Sequence, residues 1–119
     1  MRISVIIPTL NAAAWLPELL SRLQKQTLPP AEIIVVDSSS TDGTPELASS
    51  RGVRLMSVAR EEFDHGGTRN RAARAATGYV LAFLTQDALP MDDTYLAELV
   101  KPFADPNVAA VCGRQGPRP

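Results

Sequence analysis

An α/β fold of Rossmann-like type, with a mostly parallel sheet and helices on both faces, is predicted by three features of this sequence. The runs Ile3 to Ile7, Ile33 to Val36 and Tyr79 to Leu84 are short and almost continuously apolar, as in strands buried on both faces. Between the first two, Trp15, Leu16, Leu19, Leu20 and Leu23 recur at helical spacing, giving the order strand, helix, strand. Each run also stops in polar residues: Pro8-Thr9-Leu10-Asn11, then Asp37-Ser38-Ser39-Ser40-Thr41, then Thr85-Gln86-Asp87. Open α/β sheets bind ligands at the carboxyl ends of their strands, so these exits are where chemistry is expected.

Taken in order, the first strand ends at Pro8-Thr9, and its exit should lie beside Asp37. The first helix runs from close to Ala14 to near Gln26, because Pro17 is tolerable only in the first turn and Leu28-Pro29-Pro30 stops it. After the second strand, Asp42-Gly43 turns the chain. Thr44-Pro45-Glu46 then reads as an N-cap, a proline at the first helical position and an acid in the first turn. Gly52 marks the end of that helix, and Val53 to Val58 alternates like a strand nearer an edge. A charged, glycine-broken segment from Arg60 to Arg71 leads into an alanine-rich helix over Asn70 to Ala76, ended by Gly78. Beyond the buried strand Tyr79 to Leu84, Pro90 to Thr94 introduces a helix from about Asp93 to Phe103, and Val108 to Val111 reads as a last strand. An ending on a strand exit without a covering helix is the pattern of one part of a longer enzyme.

A length of 119 residues suits one core, not two. With 12 Lys+Arg against 13 Asp+Glu, charge balance points away from nucleic acid, and any electrostatic effect must be local. The single cysteine, Cys112, excludes an internal disulfide or a cysteine-based metal cluster and reads as core filler. Met1 to Pro8 is too short an apolar run for a signal peptide or membrane span, so the expected location is cytoplasmic.

The exits bring together two carboxylates, Asp37 and Asp87, and the oxygens of Thr9, Asn11 and Thr85. Such a set suits a ligand with ribose or base donors, or a divalent cation, Mg2+ or Mn2+, bridging phosphates. Arg69 and Arg71, beside Gly66-Gly67 and a helix start, supply guanidinium forks and free amides for an anion. Each feature alone has an ordinary structural reading: Asp37 and Asp87 as caps or turns, the arginines as solvated charges, His65 as a packed or capping residue, Glu61-Glu62-Phe63 as a loop. It is their coincidence at three exits that points to a site.

These residues resemble the N-terminal half of a family 2 glycosyltransferase with the GT-A fold. The likeness rests on Val5 to Asn11, Glu32 to Thr44, Thr68-Arg69-Asn70 before Ala76 to Tyr79, and Phe83 to Asp87, in the family's order and spacing. Within it, Phe63 to Asn70, Phe83 to Ala88 and Gly113-Arg114-Gln115 are similar to bacterial rhamnosyltransferases of surface polysaccharide assembly. The resemblance implies inverting transfer of a sugar from a nucleotide diphosphate donor, dTDP-rhamnose or a UDP-sugar, to a saccharide or lipid-linked acceptor. It makes residues 1–119 the donor-binding part of the domain, with the acceptor half absent. It implies donor-nucleotide binding by Pro8, Thr9, Asn11, Asp37, Ser39, Arg69 and Gln86, with Asp37 as the base-contacting acid. Asp87 matches the last acid of the family's metal motif, whose first position is here Thr85, a weaker cation ligand. Ser38 stands where the family frequently has a second acid. The general base is implied to lie beyond Pro119, and the complete enzyme to sit in the cytoplasm, peripheral to the inner membrane.

Two other readings compete. A nucleotidyltransferase or other α/β nucleotide enzyme would show a glycine-rich phosphate loop after the first strand, and Ile7 to Asn11 contains no glycine. A non-catalytic doubly wound nucleotide- or phosphate-binding interaction module, with Asp37 as phosphoacceptor, would need a lysine at a later strand exit. The only lysines are Lys25 and Lys101, both in predicted helices.

Overall fold

The computed structural model describes residues 2–59, 71–78, 80–86, 88–90 and 92–104. Strands β1 (Ile3–Thr9), β2 (Glu32–Asp37), β3 (Arg54–Ser57) and β4 (Val80–Phe83) form one sheet in the order β3-β2-β1-β4, and each neighbouring pair is parallel. Helices α1 (Leu16–Gln24), α2 (Thr44–Ser50) and α4 (Tyr95–Val100) are joined by a helical stretch over residues 71–75, α3. The expected α/β architecture is therefore present, with β3 at an edge. Arg69, Asp87, His65, Cys112, the Gly66-Gly67 turn, Glu61 to Phe63 and the strand expected over Val108 to Val111 lie outside the described residues. No helix among the described residues is long and apolar enough to cross a membrane.

Strand residues alternate between two cores because successive side chains point to opposite faces. Ile3, Val5, Ile7, Ile33 and Val35 join the α1 stripe Leu16, Leu19, Leu20 and Leu23, with Ala48 of α2 and Leu96 and Val100 of α4. Ile6, Ile34 and Val36 pack on the other face with Val58 and Ala72. Each fully buried aliphatic side chain contributes on the order of 2 kcal/mol, so β1 and β2, clothed on both faces, anchor the sheet.

The structure departs from expectation in several places. Helix α1 is shorter than Ala14 to Gln26, with Trp15 at its N-cap and Pro17 in its first turn. The N-cap of α2 is Gly43 (φ 90°), and Thr44 is the first helical residue. Strand β4 is not buried on both faces: Val80 and Ala82 face the core, while Leu81 is 37% and Phe83 43% exposed, because among the described residues the second core, Ile6, Ile34, Val36, Val58 and Ala72, does not extend over β4. The helix expected over Asp93 to Phe103 divides into α4 and a 3-10 turn, Lys101–Ala104.

Two polar fastenings were not foreseen. Buried Gln26 donates from Nε2 to the carbonyls of Arg22 (3.1 Å) and Asp92 (2.8 Å) and accepts the Leu96 amide (2.9 Å), lashing the end of α1 to the start of α4. At the amino ends of the strands, Glu32 Oε2 accepts the hydroxyls of Ser4 and Thr77, each at 2.7 Å, and the Thr77 amide. Ser4 Oγ in turn accepts the Gly78 amide at 2.7 Å. Gly78 is thus less a helix stop than a close approach: a Cβ there would meet the Ser4 side chain and backbone nitrogen. Gly78→Ala is expected to destabilise the fold by about 2 kcal/mol through overpacking, read as a lowered urea midpoint.

Candidate functional site

The site begins with a register. Parallel pairing sets Thr9 opposite Asp37 at the last rung of β1 and β2, so their side chains emerge on one face. Thr9 Oγ1 donates to Asp37 Oδ1 at 2.7 Å, meeting the expectation that the first exit lies beside Asp37. The chain then doubles back, and Ser40 donates its hydroxyl to Oδ1 (2.6 Å) and its amide to Oδ2 (2.9 Å). With three donors and 1% exposure, the Asp37 carboxylate holds the loop together from inside.

Ser38, the next residue, behaves differently. Its amide donates to the Thr9 carbonyl at 3.0 Å, but its hydroxyl, on a residue 2% exposed, has no hydrogen-bond partner. It is the one such buried side-chain atom among the described residues. A buried hydroxyl left without a partner costs about 1–3 kcal/mol. Ser39 has left-handed backbone (φ 60°) and donates from Oγ to the Val58 carbonyl at 3.1 Å, tying the exit of β2 to the end of β3.

The loop after β1 is held by the loop after β2. Three consecutive amides donate to side-chain oxygens: Asn11 to Ser40 Oγ (2.8 Å), Ala12 to Thr44 Oγ1 (2.9 Å) and Ala13 to Asp42 Oδ2 (2.9 Å). Asn11, itself left-handed (φ 52°), accepts the Thr41 amide at Oδ1 (2.9 Å). Bonds from the Thr44 hydroxyl, then from the Ala13 amide, hold the Asp42 carboxyl below its ordinary range. On the other side, Gln86 Oε1 accepts the Leu10 amide at 2.8 Å, joining the exits of β4 and β1.

Of the sequence-derived site residues, the structure brings together Pro8 and Thr9 at the end of β1, Asn11, Asp37, Ser39 and Gln86. Thr85 is exposed beyond β4, and Arg69 and Asp87 lie outside the described residues. Among the described residues no three His, Cys, Asp or Glu side chains converge to hold a metal. The sequence reading missed the clamping roles of Ser40, Asp42 and Thr44, and Ser38 as an unpartnered group. The signal was present in the unbroken oxygen-bearing run Asp37 to Asp42, which faces the amide-rich start of a helix. A shallow cavity of about 230 Å3 lined by Gln24, Pro29, Glu32 and Val53 lies at the opposite, amino end of the strands.

Both competing readings lose ground here. Amides of a first strand-to-helix turn serve phosphates in glycine-loop nucleotide enzymes, and here the protein's own oxygens occupy them. A phosphoacceptor carboxylate needs access, whereas Asp37 is enclosed. Lys25 caps the far end of α1, and Lys101 pairs with Glu98 at 2.8 Å.

Comparison with solved structures defines the class. The chain superposes on the mannosyltransferase PcManGT from Pyrobaculum calidifontis, in complex with GDP-Man and Mn2+, with a TM-score of 0.78 and 36% identity, covering 90% of this chain and 33% of that one. The architecture is that of GT-A glycosyltransferases. Residues 4–118 match the Glycosyl transferase family 2 sequence model, and the chain belongs to that family. It is 44% identical to the O-antigen chain rhamnosyltransferase RfbN of Salmonella typhimurium, over 98% of this chain and 38% of that protein. It is 46% identical to WbaN, described in the same words, of Salmonella anatum, over 96% of this chain and 37% of the relative. The chain therefore spans little more than a third of these relatives' length.

Proposed function

We propose that the complete protein is an inverting glycosyltransferase and that this chain supplies its donor-nucleotide half. The observation that carries this is the common rim: the exits of β2, β1 and β4 lie side by side, cross-linked through Thr9, Asp37 and Gln86, with the Ser38 hydroxyl left without a partner. The donor nucleoside lies along Pro8, Thr9, Asn11 and Ser39, and Arg69 matches the family's arginine for the base or diphosphate. Asp37, the base-contacting acid that the resemblance implies, is enclosed by Thr9 and Ser40. In this proposal it therefore sets the loop, and the base contact passes to Ser38, a position where the family frequently has a second acid. Identity to the Salmonella rhamnosyltransferases supports rhamnose as the sugar, and the resemblance in sequence motifs implies dTDP as its nucleotide, with a UDP-sugar as the alternative. The proposed acceptor is a saccharide or lipid-linked acceptor, and the proposed location is the cytoplasm, peripheral to the inner membrane.

In the reaction, an acceptor hydroxyl oxygen attacks the anomeric carbon opposite the diphosphate, and the carbon–oxygen bond to the diphosphate breaks. The hydroxyl proton passes to a base located beyond Pro119. Asp87, with Thr85 as a weaker ligand, would hold Mg2+ or Mn2+; one protein carboxylate suits cations that fill their remaining positions with phosphate oxygens and water. When bound, the cation would neutralise charge on the departing diphosphate. Calorimetric titration of the complete protein with dTDP and with UDP, each with Mn2+, is expected to show saturable binding, tighter for dTDP. Absence of binding to both overturns the proposal, and sugar transfer by residues 1–119 alone overturns the placement of the base.

A further inference from the structure

Of the three exits that form the proposed donor rim, the one after β1 takes its support from its neighbours. Residues 10 to 13 make none of the side-chain bonds that ordinarily satisfy the amides ahead of a helix: α1 has no side-chain cap of its own. The amides of Asn11, Ala12 and Ala13 are instead satisfied by Ser40, Thr44 and Asp42 from the following loop. At the centre of the three, the Ala12 amide and the Thr44 hydroxyl meet between residues that are both fully buried. Thr44 Oγ1 accepts this amide while donating its own proton to Asp42 Oδ1, and Asp42 Oδ2 takes the Ala13 amide. At the head of the segment Asn11 has left-handed backbone, which asparagine adopts more readily than other side-chain-bearing residues, and its Oδ1 accepts the Thr41 amide.

We propose that Thr44 and Asp42 are positioning residues for donor binding, which hold the loop after β1 so that Thr9 and Asn11 keep their places at the rim. The inference rests on the donor-binding reading above and goes beyond it by assigning function to side chains outside the rim. Thr44, fully buried, touches no ligand; its effect is transmitted through Ala12 to Asn11 and Thr9. Small displacements of binding groups weaken ligand affinity steeply, so loss of the clamp is expected to act on affinity before it acts on the chemical step.

The test uses the complete protein with dTDP and Mn2+, far below its melting temperature. Thr44→Val keeps the shape and removes the acceptor; Thr44→Ser keeps the acceptor. Thr44→Val is expected to raise the dTDP Kd and the donor KM about tenfold with kcat changed by less than about twofold, and Thr44→Ser to restore both to within about twofold of the parent. Asp42→Asn, at an exposed position, replaces one acceptor oxygen with an N–H group against the donors of Ala13 or Thr44 and is expected to act in the same direction. It keeps the test open if Thr44→Val does not fold. A lowered Tm with unchanged Kd in a folded variant, or Thr44→Ser no better than Thr44→Val, overturns the inference while leaving the donor reading intact. Failure of the parent protein to bind dTDP or UDP overturns that reading and the inference with it.

Discussion

Asp37→Ala is expected to be the most damaging single substitution in the rim, lowering stability by about 3–5 kcal/mol and abolishing measurable nucleotide binding. The carboxylate is enclosed and accepts three hydrogen bonds, two from Ser40 and one from Thr9. Removing it strands the Thr9 hydroxyl and the Ser40 amide in a space that admits little water. Asp37→Asn keeps the shape but turns an N–H group toward either Ser40 or Thr9, so it is expected to cost about 2 kcal/mol. Urea unfolding reads the stability and calorimetry reads the binding. An Asp37→Ala protein with the parent's urea midpoint would contradict the enclosed, loop-setting role described for this carboxylate.

The second large effect lies at the opposite end of the sheet. Burial pushes the Glu32 carboxyl up, but the Thr77 amide, the Ser4 and Thr77 hydroxyls and the Arg54 guanidinium outweigh it and bring it down to about 2, against an ordinary 4.5. Glu32→Ala leaves those donors unpaired and is expected to cost about 3 kcal/mol. The pH dependence has a definite sign. Between the folded and unfolded values the unfolded chain binds more protons, so the stabilisation from Glu32 is fully present above about pH 4.5 and is lost as pH falls toward 2. The depressed Asp42 carboxyl adds in the same direction. Unfolding free energies measured downward from pH 5 are expected to fall for the parent and to fall less steeply for Glu32→Gln. Equal slopes for the two would show that Glu32 is not the group responsible.

Much of the architecture was legible because it follows from period and punctuation. Continuous apolar runs at Ile3 to Ile7 and Ile33 to Val36 gave strands clothed on both sides, and the Leu16 to Leu23 stripe gave the helix lying on them. The polar exits marked the rim, and the pairing of Thr9 with Asp37 followed from placing those strands side by side. What could not be read was the direction of each hydrogen bond. A run of serines and threonines announces a loop without saying that Ser40 closes on Asp37, that Thr44 reaches across to Ala12, or that the buried Ser38 hydroxyl is left without a partner. Position in the sheet was equally hidden. The composition of Val80 to Phe83 resembles that of the inner strands, yet Leu81 and Phe83 are exposed on a face over which the described core does not extend. The fastening roles of Gln26 and Glu32 were hidden because their partners, Asp92, Leu96, Thr77 and Gly78 by way of Ser4, are remote in sequence.

The strand order has a kinetic corollary. β1 precedes the other strands as the polypeptide leaves the ribosome, but it occupies an interior lane of the finished sheet, and its rungs against β4 join Ile3 to Val80. Such remote pairing is slow to close, because the entropy of the intervening loop must be lost before any rung forms. During translation β1 can settle early only against β2, with α1 as the bridge. Its other flank stays bare until β4 arrives, a vulnerable interval in which a nascent chain is prone to mispair or to engage a chaperone.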